Sequence, residues 1–193
     1  MHLVLTEPPA AEPITLAEAK GHLRVLHASE DALIERIVAA VRAHVEKVTG
    51  RALIAQGWSL FLPAFPKSGI IELPRPPLIE VTEIRYRDAA GEVQMLAESV
   101  YTFSPLGLKG WVQRRPWQAW PATAKGDLDA VEVRFTAGYG DDPADVPPDL
   151  KHAMLLLIGH LYSNRDETSD KPLAVNPVAS DRLLGPFRTH GWI

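Results

Sequence analysis

The chain has 193 residues, 46% hydrophobic and 23% charged, with 20 Lys plus Arg against 24 Asp plus Glu and no cysteine. These proportions fit one folded domain, or one with a modest insertion, and argue against a disordered or fibrous chain. The net charge of −4 leaves no general basic field to gather nucleic acid, and the absence of thiols excludes disulfides, thiolate zinc sites and cysteine nucleophiles.

The start, MHLVLTEPPAAEP, has no basic segment followed by a sustained apolar run, and so reads as neither a signal peptide nor an anchor. Thr15 and Glu18 have the spacing of a capping box, which predicts a short helix over about 15–26. Ser29-Glu-Asp-Ala opens a second helix with a side-chain cap and acids in its first turn. In it Leu33, Ile34, Ile37, Val38, Val41, Val45 and Val48 recur at three- and four-residue steps, and Gly50 is a natural stop.

From about 57 to 137 the period becomes two. Short strands are predicted at 58–62, 69–73, 79–86, 93–96, 101–103, 110–113 and 130–136, with a phase slip inside 79–86 that marks a bulge and a hairpin turn at Asp88-Ala-Ala-Gly91. The connections are too short for crossover helices, so the sheet is expected to be mainly antiparallel. A third helix follows at about 147–163, started by Val146-Pro-Pro-Asp149 and apolar around much of its circumference, which predicts a central position. Its run Ala153–Ile158 is far short of the ~20 residues that span a bilayer. Beyond Asn164 the chain has no sustained period and reads as an extended tail. The 17 prolines fall at these joints: before the first helix, on entry to the β segment, at the start of the third helix and along the tail.

No catalytic motif is present: there is no GxSxG, no GxxxxGK[ST], no strand-borne GxGxxG and no HExxH. His152 and His160 stand eight apart on one helix, too far to share a metal, and His22 and His27 have no acids arranged as ligands. The adjacent acids Asp141 and Asp142 sit in a Gly- and Pro-rich turn that they would ordinarily only solvate. No cofactor is implied. The unusual stretch is Trp111-Val-Gln-Arg-Arg-Pro-Trp-Gln-Ala-Trp120, which holds three of the five tryptophans beside two arginines. Trp111, Arg114, Arg115, Trp117 and Trp120 form a candidate protein-contact patch, since Trp and Arg are enriched at interface hot spots. The competing reading puts Trp111 in the core, with Trp117 and Trp120 closing the end of the sheet.

The order of these segments resembles the head-tail connector (adaptor, head-completion) proteins of long-tailed bacteriophages and gene transfer agents. The resemblance rests on ITLAEAKGHLRV and EDALIERIVAAVRAHVEKVTGRAL near the start and on FTAGYGDDPADVPPDLKHAMLLLIGHLY toward the end. It implies an α+β fold: a small bundle of about three main helices (1–56 and 138–164), an inserted mainly antiparallel β segment (57–137) and an extended C-terminal docking tail (165–193). It also implies a structural, non-enzymatic role in the virion neck, with the protein made in the host cytoplasm. The expected partners are the portal protein, the next neck or tail-completion protein and further copies of itself in a ring of about twelve or thirteen. DNA would pass through the channel without sequence-specific binding, and no membrane is involved. Leu183, Leu184, Phe187, Trp192 and Ile193 are the expected anchors of the tail on the portal. Two rivals predict different geometry. A monomeric Trp-platform binding module requires three solvent-facing rings beside a groove, whereas an enzyme requires a deep pocket with a strongly perturbed carboxylate or imidazole.

Overall fold

The computed structural model describes residues 1–107, 109–164 and 178–189, and the chain divides into two compact units. One comprises Met1–Ala10 with Ala55–Tyr139, the other Ala11–Ile54 with the chain from Gly140 onward.

The first unit is built from eight strands: β1 (His2–Glu7), β2 (Gln56–Leu62), β3 (Ile70–Leu73), β4 (Leu78–Arg87), β5 (Val93–Met95), β6 (Tyr101–Ser104), β7 (Gly110–Arg114) and β8 (Val131–Ala137). They make a five-stranded sheet of order β1-β2-β8-β4-β5 and a three-stranded sheet of order β3-β7-β6, antiparallel at every pairing. The expected phase slip in β4 is real, because its register with β8 shifts between Val81 and Glu83. The turn at Asp88 is also formed, with Gly91 N donating to Asp88 O and Ala90 N to Asp88 Oδ1, both at 2.9 Å.

β8 is the spine of this unit. Its side chains alternate without a break, Val131, Val133, Phe135 and Ala137 buried and Glu132, Arg134 and Thr136 facing the other way. Val133 pairs with Leu60 on one side and Ile84 on the other, and all three are fully buried. The opposite face is a ladder of charges: Arg134 pairs with Glu132 at 2.7 Å and Glu83 at 3.0 Å, Arg85 pairs with Glu83 at 2.8 Å, and Ser59 Oγ donates to Glu132 at 2.9 Å. The two sheets approach where β7 meets β4. A Cβ on Gly110 would lie 2.7 Å from Leu78 Cβ, closer than side chains come, so only glycine fits there.

β1 was not expected. Every residue of it except Leu3 is exposed, so as an edge strand with two wet faces it carries no alternation to read. It pairs with β2 from His2–Phe61 to Glu7–Gly57.

The second unit contains α1 (Leu16–Leu23), α2 (Asp31–Thr49), α3 (Pro148–Ser163) and α4 (Val178–Leu184), the last running into a 3-10 turn at Gly185–Phe187. The capping box at Thr15 and Glu18 is present as the spacing predicts. Ser29 does not cap α2: the cap position is Glu30, which makes no side-chain cap bond but accepts from the Tyr162 hydroxyl on α3, while Ser29 Oγ lies 2.8 Å from His27 Nδ1. The buried stripe of α2 is Ile34, Val38, Val41 and Val45, and α3 packs against α1, α2 and α4, the central position its composition predicts.

Residues 178–189 depart from the extended tail expected of the C-terminal region. A seven-residue helix bracketed by Pro177 and Pro186 is too short to show a period in the sequence, yet α4 packs on α3 and buries Leu184 to 2% exposure. The chain beyond it is tied to the end of α2. Thr189 donates to Thr49 O through its backbone N at 2.8 Å and its hydroxyl at 3.0 Å, and Arg51 Nε donates to Phe187 O at 2.6 Å. This closeness needs Gly50, which ends α2 at φ 72° and whose Cβ, if present, would lie 2.2 Å from Thr189 Oγ1.

Candidate protein-contact surfaces

Of the expected tail anchors, Leu184 belongs to the core of the helical unit and offers nothing to a partner in this conformation. Leu183 and Phe187 are half-buried, Phe187 lying under the Arg51 guanidinium, whose carbon is 5.9 Å from the ring centroid. Trp192 and Ile193 lie outside the described residues.

The Trp-Arg stretch does not act as one surface. Trp111 sits half-buried in β7, paired with Glu72 of β3 and Ser104 of β6. Trp120 is stacked on Phe65, centroids 4.7 Å apart and planes 10° apart, so it serves the packing of its own unit. Trp117 is the exception, wholly solvent-exposed at 100% and at φ 65°. The turn that carries it is well braced. Gln118 N donates to Arg115 O at 3.2 Å, Arg114 Nη1 donates to Gln118 O, and Arg115 Nε donates to Tyr101 O at 2.8 Å. A three-ring platform is therefore not formed. Sequence reasoning could not separate the tryptophans of this stretch, because the stacking of Trp120 depends on Phe65, 55 positions away in the chain.

Each carboxyl group among the described residues whose titration is displaced is displaced downward. For Glu132, partial burial pushes the carboxyl up, but donors from Arg134 and Ser59 and the charges of Arg134 and Arg85 outweigh it. Asp88 is lowered by the Gln94 amide and by backbone N–H groups of its own turn. Among the described residues, no group of three or more His, Asp and Glu side chains is placed to hold a metal ion, and no helix is long and apolar enough to cross a membrane. One further surface is apolar: a cleft of about 380 Å³ in the helical unit, lined by Ala11, Ile14, Leu16 and Val38, with the carboxylate residues Glu12 and Glu35 among its walls.

Comparison with known proteins gives the surfaces a context. Residues 13–105 match the model of the phage gp6-like head-tail connector proteins. No curated protein sequence matches. Among solved structures, a chain in the neck of an empty GTA particle, computed with C6 symmetry, aligns with TM-score 0.83 at 28% identity, covering 100% of this chain and 98% of that one. A chain in the virion of a native gene transfer agent (GTA) particle aligns at 0.82 and 28%, and one in the neck of a native GTA particle, computed with C12 symmetry, at 0.81 and 27%, with the same coverage. The family match spans α1, α2 and β2 to β6, and the fold is shared from end to end with chains of GTA necks; together these support a structural, non-enzymatic head-tail connector protein of the neck.

Proposed function

We propose that this protein is a neck subunit of a virion or gene transfer agent, assembling as a ring of about twelve copies that docks on the portal after DNA is packaged and joins head to tail. The observation that carries this reading is the end-to-end match to neck proteins, whose particles were computed with C6 and C12 symmetry. A ring with head-to-tail closure needs two different complementary sides on each copy, and the chain's two dissimilar units, one a charged-faced sheet and one a helical bundle, can supply them. The net charge of −4 suits a channel through which DNA must slide without being gripped. The portal on one side and the next neck component on the other are the partners this reading requires.

Electron microscopy of the purified protein, alone and mixed with its portal, tests the proposal. Rings on their own or on the portal are the expected outcome, and a monomer that stays monomeric and ignores the portal overturns it.

A further inference from the structure

The turn Arg115-Pro116-Trp117-Gln118 holds a residue its geometry disfavours. Proline fixes a negative φ at the second position, Trp117 has φ 65° at the third, and the Gln118 N to Arg115 O bond closes the turn. That combination is a type II turn, whose third position calls for glycine because any Cβ is crowded there. A bulky aromatic is an outlier there. Hydrogen bonds brace the turn whatever residue stands there, but the indole itself is 100% exposed and gains no burial to offset the cost of placing it there. Local rules broken without a compensating contact in the subunit point to a contact outside it.

We propose that Trp117 is the anchor of the contact between copies, entering the apolar cleft that Ala11, Ile14, Leu16 and Val38 line in the helical unit of the next subunit. The occupant follows from chemistry. The cleft is apolar enough for an indole, and at about 380 Å³ roomy enough. Charge is complementary as well. The stretch from Trp111 to Pro121 contains Arg114 and Arg115 and no acid, while the cleft presents Glu12 and Glu35. Glu12 is already held by Arg42 at 2.8 Å, leaving Glu35, exposed on α2, to meet the incoming guanidinium. A protruding knob and a recessed cleft on one chain are the unlike surfaces that head-to-tail closure demands. The inference rests on the ring reading above.

Trp117→Gly separates folding from assembly. Glycine suits the turn, so the denaturation midpoint of the subunit is expected at or above that of the wild type, while assembly weakens by about tenfold or more, as loss of a central aromatic anchor does. Glu35→Lys is expected to weaken assembly without unfolding α2. Because the chain has no cysteine, Trp117→Cys and Glu35→Cys can be made singly and mixed. A disulfide between the two variants in assembled material is the expected result. A destabilised Trp117→Gly subunit removes the strain argument. Rings that form as in the wild type from Trp117→Gly, with no crosslink in the mixed sample, overturn the inference and leave the ring reading standing. The same holds if rings persist and only portal binding is lost, which makes the portal the occupant. A disulfide that forms only within one chain, in a double variant, also overturns it. If wild-type protein makes no rings with or without portal, both readings fall.

Discussion

Glu46 is buried on α2 and accepts from two directions, Arg42 Nη1 at 3.0 Å and the backbone N of Leu53 at 3.0 Å. Glu46→Ala leaves a buried N–H without this acceptor and loosens Arg42 from α2, so unfolding stability is expected to fall by about 1–3 kcal/mol. Glu46→Gln keeps an acceptor for Leu53 and is expected to cost less; equal urea midpoints for the two variants would show that the carboxamide does not replace that bond. Glu18 gives a pH-dependent counterpart. Partial burial pushes its carboxyl up, but the Lys151 ammonium, the Thr15 backbone N–H and hydroxyl, and the Lys151 charge together bring it below the ordinary value of 4.5. A group lowered by folding stabilises fully above its unfolded pKa, and that contribution is lost as pH falls through the folded value. Lys151→Met is expected to raise the Glu18 titration midpoint toward 4.5 in a carboxyl NMR titration, and a midpoint that does not move would show the pair has no part in it. At this scale the sequence was informative where the partners are close in the chain. The bond between Thr15 and Glu18 is three residues long and was legible. That between Lys151 and Glu18 is 133 residues long and was not, because its geometry exists only after α1 and α3 have packed.

Among the elements, β8 and α4 show how legibility depends on burial. Six of the seven readable strands bury one face or part of it, and β5, exposed at every residue, was readable from the turn at Asp88 that precedes it; β8, with one apolar face and one charged face, was the clearest. β1 hides its role because its contribution is backbone pairing to β2. Removing residues 1–10 is expected to bare that edge of β2 and to raise aggregation in a light-scattering assay, since an unpaired edge is a template for other chains. A truncated protein that stays as monodisperse as the full chain would argue against it. Phe135→Ala, at a fully buried site in the central strand, is expected to cost about 3–5 kcal/mol by urea denaturation. Leu184→Ala is expected to cost about 2–5 kcal/mol, a loss that an unpacked tail would not produce. If Leu184→Ala leaves the midpoint unchanged, α4 does not pack on the helical unit in solution.

At the scale of the whole molecule, the order of segments, and not any single motif, carried the family resemblance. Both units are discontinuous: the chain leaves the sheet unit after Ala10, returns at Ala55 and leaves again after Tyr139. In that path β8, which pairs with both β2 and β4, is the last strand to be made. A nascent chain that has just released β5 from the ribosome therefore holds two separate strand pairs, β1 with β2 and β4 with β5, and no element between them. At ordinary synthesis rates this state lasts on the order of several seconds before residues 131–137 emerge. The strand order then requires β8 to enter between β2 and β4 and not to add at an edge. A chain stopped at residue 130 is then expected to be protease-sensitive throughout the sheet unit, whatever its helices do. Stopping synthesis early should leave no partly built wall able to enter a ring.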